Sequence, residues 1–66
     1  MRIIVDGLER EVREGLSVVE FLTDAGEPVG HVLVEVNGTH LRPAEYTSRI
    51  LREGDRVEVI LPASGG

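Results

Sequence analysis

The spacing of apolar residues changes along this chain, and each change marks an element. Ile3, Ile4 and Val5 form a β-branched run that stops at Asp6-Gly7, a dipeptide suited to a two-residue hairpin turn. Glu9 to Val12 continues as a short strand with charge on its exposed side, and Glu14-Gly15 closes that hairpin. The period then lengthens. Ser17-Val18-Val19-Glu20 reads as a capping box, in which the Ser17 hydroxyl accepts from the Glu20 N–H while Glu20 reaches back. Val18, Phe21, Leu22 and Ala25 fall on one face of the helix that follows. Gly26 suits a left-handed stop and Pro28 prevents resumption, so the helix makes about two turns. Period two returns at Val32, Val34 and Val36, alternating with Leu33 and Glu35.

Asn37-Gly38 turns that strand into the short arm Thr39-His40-Leu41, which Pro43 stops, as suits an edge. Residues 44–53 read as irregular around a single helical turn. Glu53-Gly54-Asp55 is a turn leading into Arg56–Leu61, the most apolar strand. The element order is therefore β-β-α-β-β-β. A strand buried among neighbours reads as apolar, whereas edge strands alternate or shorten. The last strand is accordingly expected at the centre, parallel to the first, with the helix across one face. This is an α+β chain of the β-grasp, or ubiquitin-like, architecture: a mixed sheet of four to five strands packed on one short helix. It occupies residues 1–61, and residues 62–66 form a tail expected to be flexible.

Composition narrows what such a domain does. At 66 residues there is room for one domain, which buries only roughly 60% of the surface its unfolded chain exposes. With no cysteine there is no disulfide, thiolate nucleophile or Cys-based zinc site. A deep catalytic cleft would hollow out so small a core, so the chain is not expected to be an enzyme in its own right. Twelve acidic against seven basic residues give a net charge of −5, which disfavours nucleic acid and anionic membranes as partners. Every basic residue is an arginine, so the only amine is the N-terminus. Neither a signal peptide nor an apolar stretch of membrane-spanning length is visible, and the expected location is cytoplasmic. His31 and His40 lie outside any metal-ligand spacing, so no bound metal is expected. Ser17 is occupied as a cap, and Ser64 has no base to activate it.

Two features carry candidate chemistry. The first is Gly65-Gly66. Glycine lacks a Cβ and can thread a slot too narrow for any side chain, so a carboxylate on such a tail can be presented inside another protein's active site. A frayed, solubilising end is the alternative. Pro62 fixes its own φ and biases Leu61 towards extended conformations, so the chain leaves the sheet pointing outward. Residues 62–66 reach at most ~16–18 Å. The second is a set of outward aliphatics. If Ile3, Val5, Val57, Val59 and Leu61 face the helix, alternation turns Ile4 and Ile60 to the opposite face, with Leu33 joining them. Ile4, Leu33 and Ile60 are thus expected to form an exposed apolar patch where a partner docks.

Val34-Glu35-Val36-Asn37-Gly38, then Glu53-Gly54-Asp55-Arg56-Val57-Glu58-Val59, then Gly65-Gly66 occur in an order that resembles the bacterial and archaeal sulfur-carrier family typified by ThiS and MoaD, closest to ThiS. The resemblance covers essentially the whole chain. It implies that a ThiF/MoeB-type adenylating enzyme uses ATP to convert the C-terminal carboxylate to an acyl adenylate. Sulfur originating from a cysteine desulfurase or a persulfide then displaces AMP and leaves a thiocarboxylate. Carried over, Gly66 is the reactive residue and Gly65 the one that passes the narrow approach; ATP belongs to the partner, and no cofactor is bound. Two departures bear on the subfamily. Arg42-Pro43 stands where ThiS-like chains often carry Pro-Arg, and Leu61-Pro62-Ala63-Ser64-Gly65-Gly66 looks somewhat like a MoaD tail, although 66 residues is a ThiS-like length. The favoured acceptor is thiazole synthase, for the thiazole of thiamine. Molybdopterin synthesis, tRNA thiolation and protein modification remain alternatives, the last weakened because a chain without lysine cannot build lysine-linked chains of itself.

Overall fold

Two pairs of left-handed residues set the hairpins. Asp6 and Gly7 adopt φ of 49° and 85°, and Asn37 and Gly38 adopt 53° and 81°, the backbone of a turn whose twist matches the flanking strands. The computed structural model describes residues 1–62. Its strands are β1 (Arg2–Val5), β2 (Leu8–Glu11), β3 (Leu33–Val36), β4 (Thr39–Leu41) and β5 (Arg56–Ile60), with one helix, α1 (Val18–Asp24), and 3₁₀ turns at Val29–His31 and Pro43–Glu45. They form one five-stranded sheet in the order β2-β1-β5-β3-β4. The last strand is central, parallel to β1 and antiparallel to β3, as expected from the sequence. The chain has the β-grasp fold.

The helix starts where its cap dictates. Ser17 Oγ accepts from the Glu20 N–H at 3.2 Å, and the Ser17 N–H donates to Glu20 Oε1 at 3.0 Å. Those Ser17 bonds hold the Glu20 carboxyl below its ordinary range. The next two helical N–H groups have no partner within the helix. Val18 N–H donates to the Arg49 carbonyl and Val19 N–H to that of Tyr46, each at 2.9 Å. Residues 46–51, read from the sequence as irregular, therefore act as the backbone cap of α1. Leu51 N–H returns to the Leu16 carbonyl at 2.8 Å. Tyr46 and Leu51 are buried, and the Tyr46 hydroxyl donates to the Val32 carbonyl at 3.3 Å.

The core lies between α1 and the inner sheet face. Ile3, Val18, Leu22, Val34 and Val57 are fully enclosed, and half-buried Val59 packs against them. Two expectations from periodicity, one helical and one of strand alternation, fail at element ends. Ala25 is exposed because α1 stops at Asp24, leaving Ala25 as its C-cap beside the open side of β2. Leu61 is 62% exposed because β5 ends at Ile60 and the pleat no longer directs the next side chain inward.

A polar knot fixes the start of β5. Asp55, nearly buried, accepts from Asn37 Nδ2 at 2.9 Å, the Arg52 N–H at 2.8 Å and Arg49 Nη2 at 3.2 Å. Asn37 Oδ1 accepts the Arg56 N–H at 2.9 Å. Burial pushes the Asp55 carboxyl up, but these hydrogen bonds and the Arg49 charge together outweigh it and hold the group below its ordinary value. No buried side-chain nitrogen or oxygen lacks a partner among the described residues.

Candidate functional site

The site is built around the end of β5, where the chain leaves the sheet. On the outer face, Leu33 of β3 stands directly opposite Ile60 of β5, and they are 42% and 39% exposed. Paired side chains across an antiparallel ladder lie close enough to form one surface, so these two make an apolar contact beside the tail's root. One step further from the root, Glu35 stands opposite Glu58. Like charges directly opposite each other work against the sheet. His40 of β4 lies across Glu35 on the other side.

Ile4 also takes the outer face, half-buried, but not in the expected place. Its partner on β5 is Arg56, not a residue near Ile60. Four residues of strand separate Arg56 from Ile60, roughly 13 Å at ordinary strand rise, and Glu58 projects between them. The continuous patch of Ile4, Leu33 and Ile60 expected from alternation is therefore two apolar spots with an acidic pair between. Alternation assigns a side chain to a face without placing it along the neighbouring strand.

A groove that sequence reasoning missed adjoins the root of the tail. Its walls come from the Val29–His31 turn, Leu33 and Pro43, and Leu61 and Pro62 lie along it. The signal available in the sequence was Pro43, just after the β3–β4 hairpin, which by itself reads only as a strand stop. Gly65 and Gly66, on which the tail chemistry rests, lie outside the described residues, as does Ser64. His31 and His40 share no metal-binding cluster, and no group of three potential ligands occurs among the described residues. No helix among those residues is long and apolar enough to cross a membrane.

Comparisons with known proteins agree with this architecture. Residues 1–66 match the model of the ThiS family. A crystal structure of a thiamine biosynthesis protein (ThiS) from Geobacter metallireducens superposes with a TM-score of 0.89 at 30% identity, with all of both chains covered. A solution structure of a thiamine biosynthesis protein from the same organism gives 0.80 at 32% identity, covering all of this chain and 87% of that one. No curated protein matches the chain.

Proposed function

The chain belongs to the ThiS family, and from that membership we propose that it is a sulfur carrier whose C-terminal Gly66 is adenylated, converted to a thiocarboxylate and used to donate sulfur to the thiazole of thiamine. The full-length match to the family, together with neighbours described as thiamine biosynthesis proteins, carries the reading. A carboxylate is a poor electrophile because its charge repels nucleophiles. Attack of the Gly66 carboxylate on the α-phosphorus of ATP, with loss of pyrophosphate, gives an acyl adenylate whose AMP is a good leaving group. Hydrosulfide displaces AMP and leaves the thiocarboxylate directly. The terminal sulfur of a persulfide instead displaces AMP to give an acyl disulfide, from which a thiol then releases the thiocarboxylate by forming a disulfide with the donor's sulfur. Thiazole synthase receives the sulfur, and a ThiF/MoeB-type enzyme performs the activation.

The division of labour follows from the geometry at the root. β5 is held on both sides, by β1 and β3, so the body stays rigid while Leu61 and Pro62 lead outward. Leu33 and Ile60 offer the adenylating enzyme an apolar contact beside that exit, with Ile4 a separate contact on the same face. The Glu35–Glu58 pair between them is matched by a basic side chain on the enzyme.

The test is a mass measurement. With ATP, the adenylating enzyme and a sulfur source, the chain gains the difference between one sulfur and one oxygen, located on Gly66 by fragmentation. Deleting Gly66 abolishes the product. Gly65→Val abolishes it too, since a β-branched side chain restricts the backbone and blocks a slot shaped for glycine. An adenylate that forms on the enzyme but passes only to protein amines would overturn the carrier reading in favour of protein modification. Reconstitution with thiazole synthase against molybdopterin synthase identifies the acceptor.

A further inference from the structure

The two edges of the sheet are finished differently. β4 is three residues long and runs into Pro43, and the N–H of Arg42 beyond it is taken by Glu45 Oε1 at 3.0 Å. That edge is blunted, as exposed edges commonly are. β2 is not. Its two-residue turn makes Val5 and Leu8 the first hydrogen-bonded pair, so Leu8, Arg10 and Val12 direct their backbone groups at β1. The parity is visible at the far end, where Val12 N–H donates to the Met1 carbonyl at 2.8 Å and the Met1 amine donates to the Val12 carbonyl at 2.7 Å. Glu9 and Glu11 consequently point their N–H and C=O groups away from the sheet. Among the described residues no other strand or turn takes them.

The side chains beside this edge sort by face. Leu8 and Arg10 stand opposite Val5 and Ile3 and share the helix side of the sheet, while Glu9 and Glu11 share the outer side with Ile4 and Arg2. On the helix side, a groove runs between β2 and α1 with Val12, Leu16, Phe21 and Ala25 along it, the Arg10 side chain at its β2 wall, and the Arg13–Asp24 ion pair, 2.8 Å long, at its rim. A strand laid along β2 would alternate between this groove and the two glutamates.

From this we infer that the free edge of β2 is a strand-addition site for an extended segment of a partner protein in which aliphatic residues alternate with Lys or Arg. Backbone bonding to Glu9 and Glu11 supplies affinity, and the alternate side-chain positions supply selectivity. The aliphatic residues enter the groove beside α1, and the basic residues oppose Glu9 and Glu11. Charge complementarity selects this occupant over a second copy. An antiparallel pairing of β2 with itself that keeps the helix sides together opposes Glu9 to Glu11, Glu9 to Glu9 or Glu11 to Glu11, and like charges directly opposite are unfavourable. Glu9 has no ion-pair partner among the described residues; Glu11 meets Arg2 in an exposed contact at 3.4 Å and approaches the N-terminus of half-buried Met1 only at 3.7 Å. β1 and β5 separate β2 from β3, so this partner and one seated on Leu33 and Ile60 can be held together.

The test uses the ¹⁵N-labelled full chain and two synthetic peptides, acetyl-Lys-Val-Lys-Val-Lys-amide and its glutamate counterpart. The lysine peptide shifts the Glu9 and Glu11 amides and slows their hydrogen exchange, and it binds at least about tenfold more tightly than the glutamate peptide. The double variant Glu9→Lys/Glu11→Lys reverses that preference. Glu9→Pro removes an outward N–H together with one of the two carboxylates, leaves the β1 ladder intact and abolishes the slowed exchange at Glu11. If Glu9→Pro fails to fold, the charge-reversal variant decides. Unchanged exchange at Glu9 and Glu11 under millimolar lysine peptide overturns the inference. So does a peptide preference that survives charge reversal, or a concentration-dependent dimer that protects the same two amides.

Discussion

On β3 and β5, one face carries Val34, Val36 and Val57, none more than 3% exposed, while the other carries Leu33, Glu35, Glu58 and Ile60 in the same registers. The backbone, the hydrogen bonds and the neighbours are shared; only the side of the pleat differs. The helix-facing side removes apolar surface from water, the dominant favourable term in a chain this small. The outer side does the reverse twice over, leaving two aliphatics in water and setting one glutamate against another. Neither arrangement helps the fold. An outer face that contributes little to folding is free to be shaped by what it meets, and a basic, partly apolar partner surface is the complement of what it presents.

Breaking the inner face has the largest effect. Val57→Ala removes two enclosed methyl groups at the centre of the sheet and costs ~1–3 kcal/mol in urea unfolding. A loss under ~0.3 kcal/mol would show that Val57 does not face the core. Next comes the polar knot that aligns β5 with the β3–β4 turn. Asp55→Asn costs ~1–2 kcal/mol near neutral pH by weakening the bonds from the Arg52 N–H and Arg49. The sign of its pH dependence follows from the depressed carboxyl. Its stabilisation is complete above the unfolded value, near 3.9, and is lost as pH falls through the lower folded value. The difference between wild type and Asp55→Asn therefore narrows in acid; a gap that stays constant down to pH 2 would remove the carboxylate from the account.

The outer face responds oppositely. Ile60→Glu shifts unfolding by no more than ~0.5 kcal/mol yet lowers the rate of adenylation by the cognate enzyme; a wild-type rate would make the Leu33–Ile60 contact incidental. The smallest effect sharpens the comparison most. Glu58→Lys replaces a like-charge pair by an opposite one and raises stability by less than about 1 kcal/mol, more at low salt than at high, while slowing activation. A variant that is both more stable and faster would show that the acidic pair meets no basic group on the enzyme.

Local elements were legible in the sequence because their causes are local. The capping box closes within four residues, Ser17 to Glu20, and forms as read. Asp6-Gly7 and Asn37-Gly38 tolerate the positive φ their turns need. The central, parallel placement of β5 came out as read, although Arg56 and Glu58 interrupt its apolar residues and it alternates much as β3 does. Less could be read where a segment's partner lies far away in sequence. The Tyr46–Leu51 segment has no helical or alternating pattern of its own, and its order comes from bonds to α1.

What the sequence determined by itself was the strands, the helix and the face of the side chains within them, since caps, turns and period two are encoded by neighbours within a few residues. Which residue stands opposite which was decided only by the tertiary structure. Period two is indifferent to sliding one strand past another by two residues, and the register is set by the whole core together. That choice put Ile60 beside Leu33 rather than Ile4, and Glu35 against Glu58. It also left Glu9 and Glu11 on an open edge.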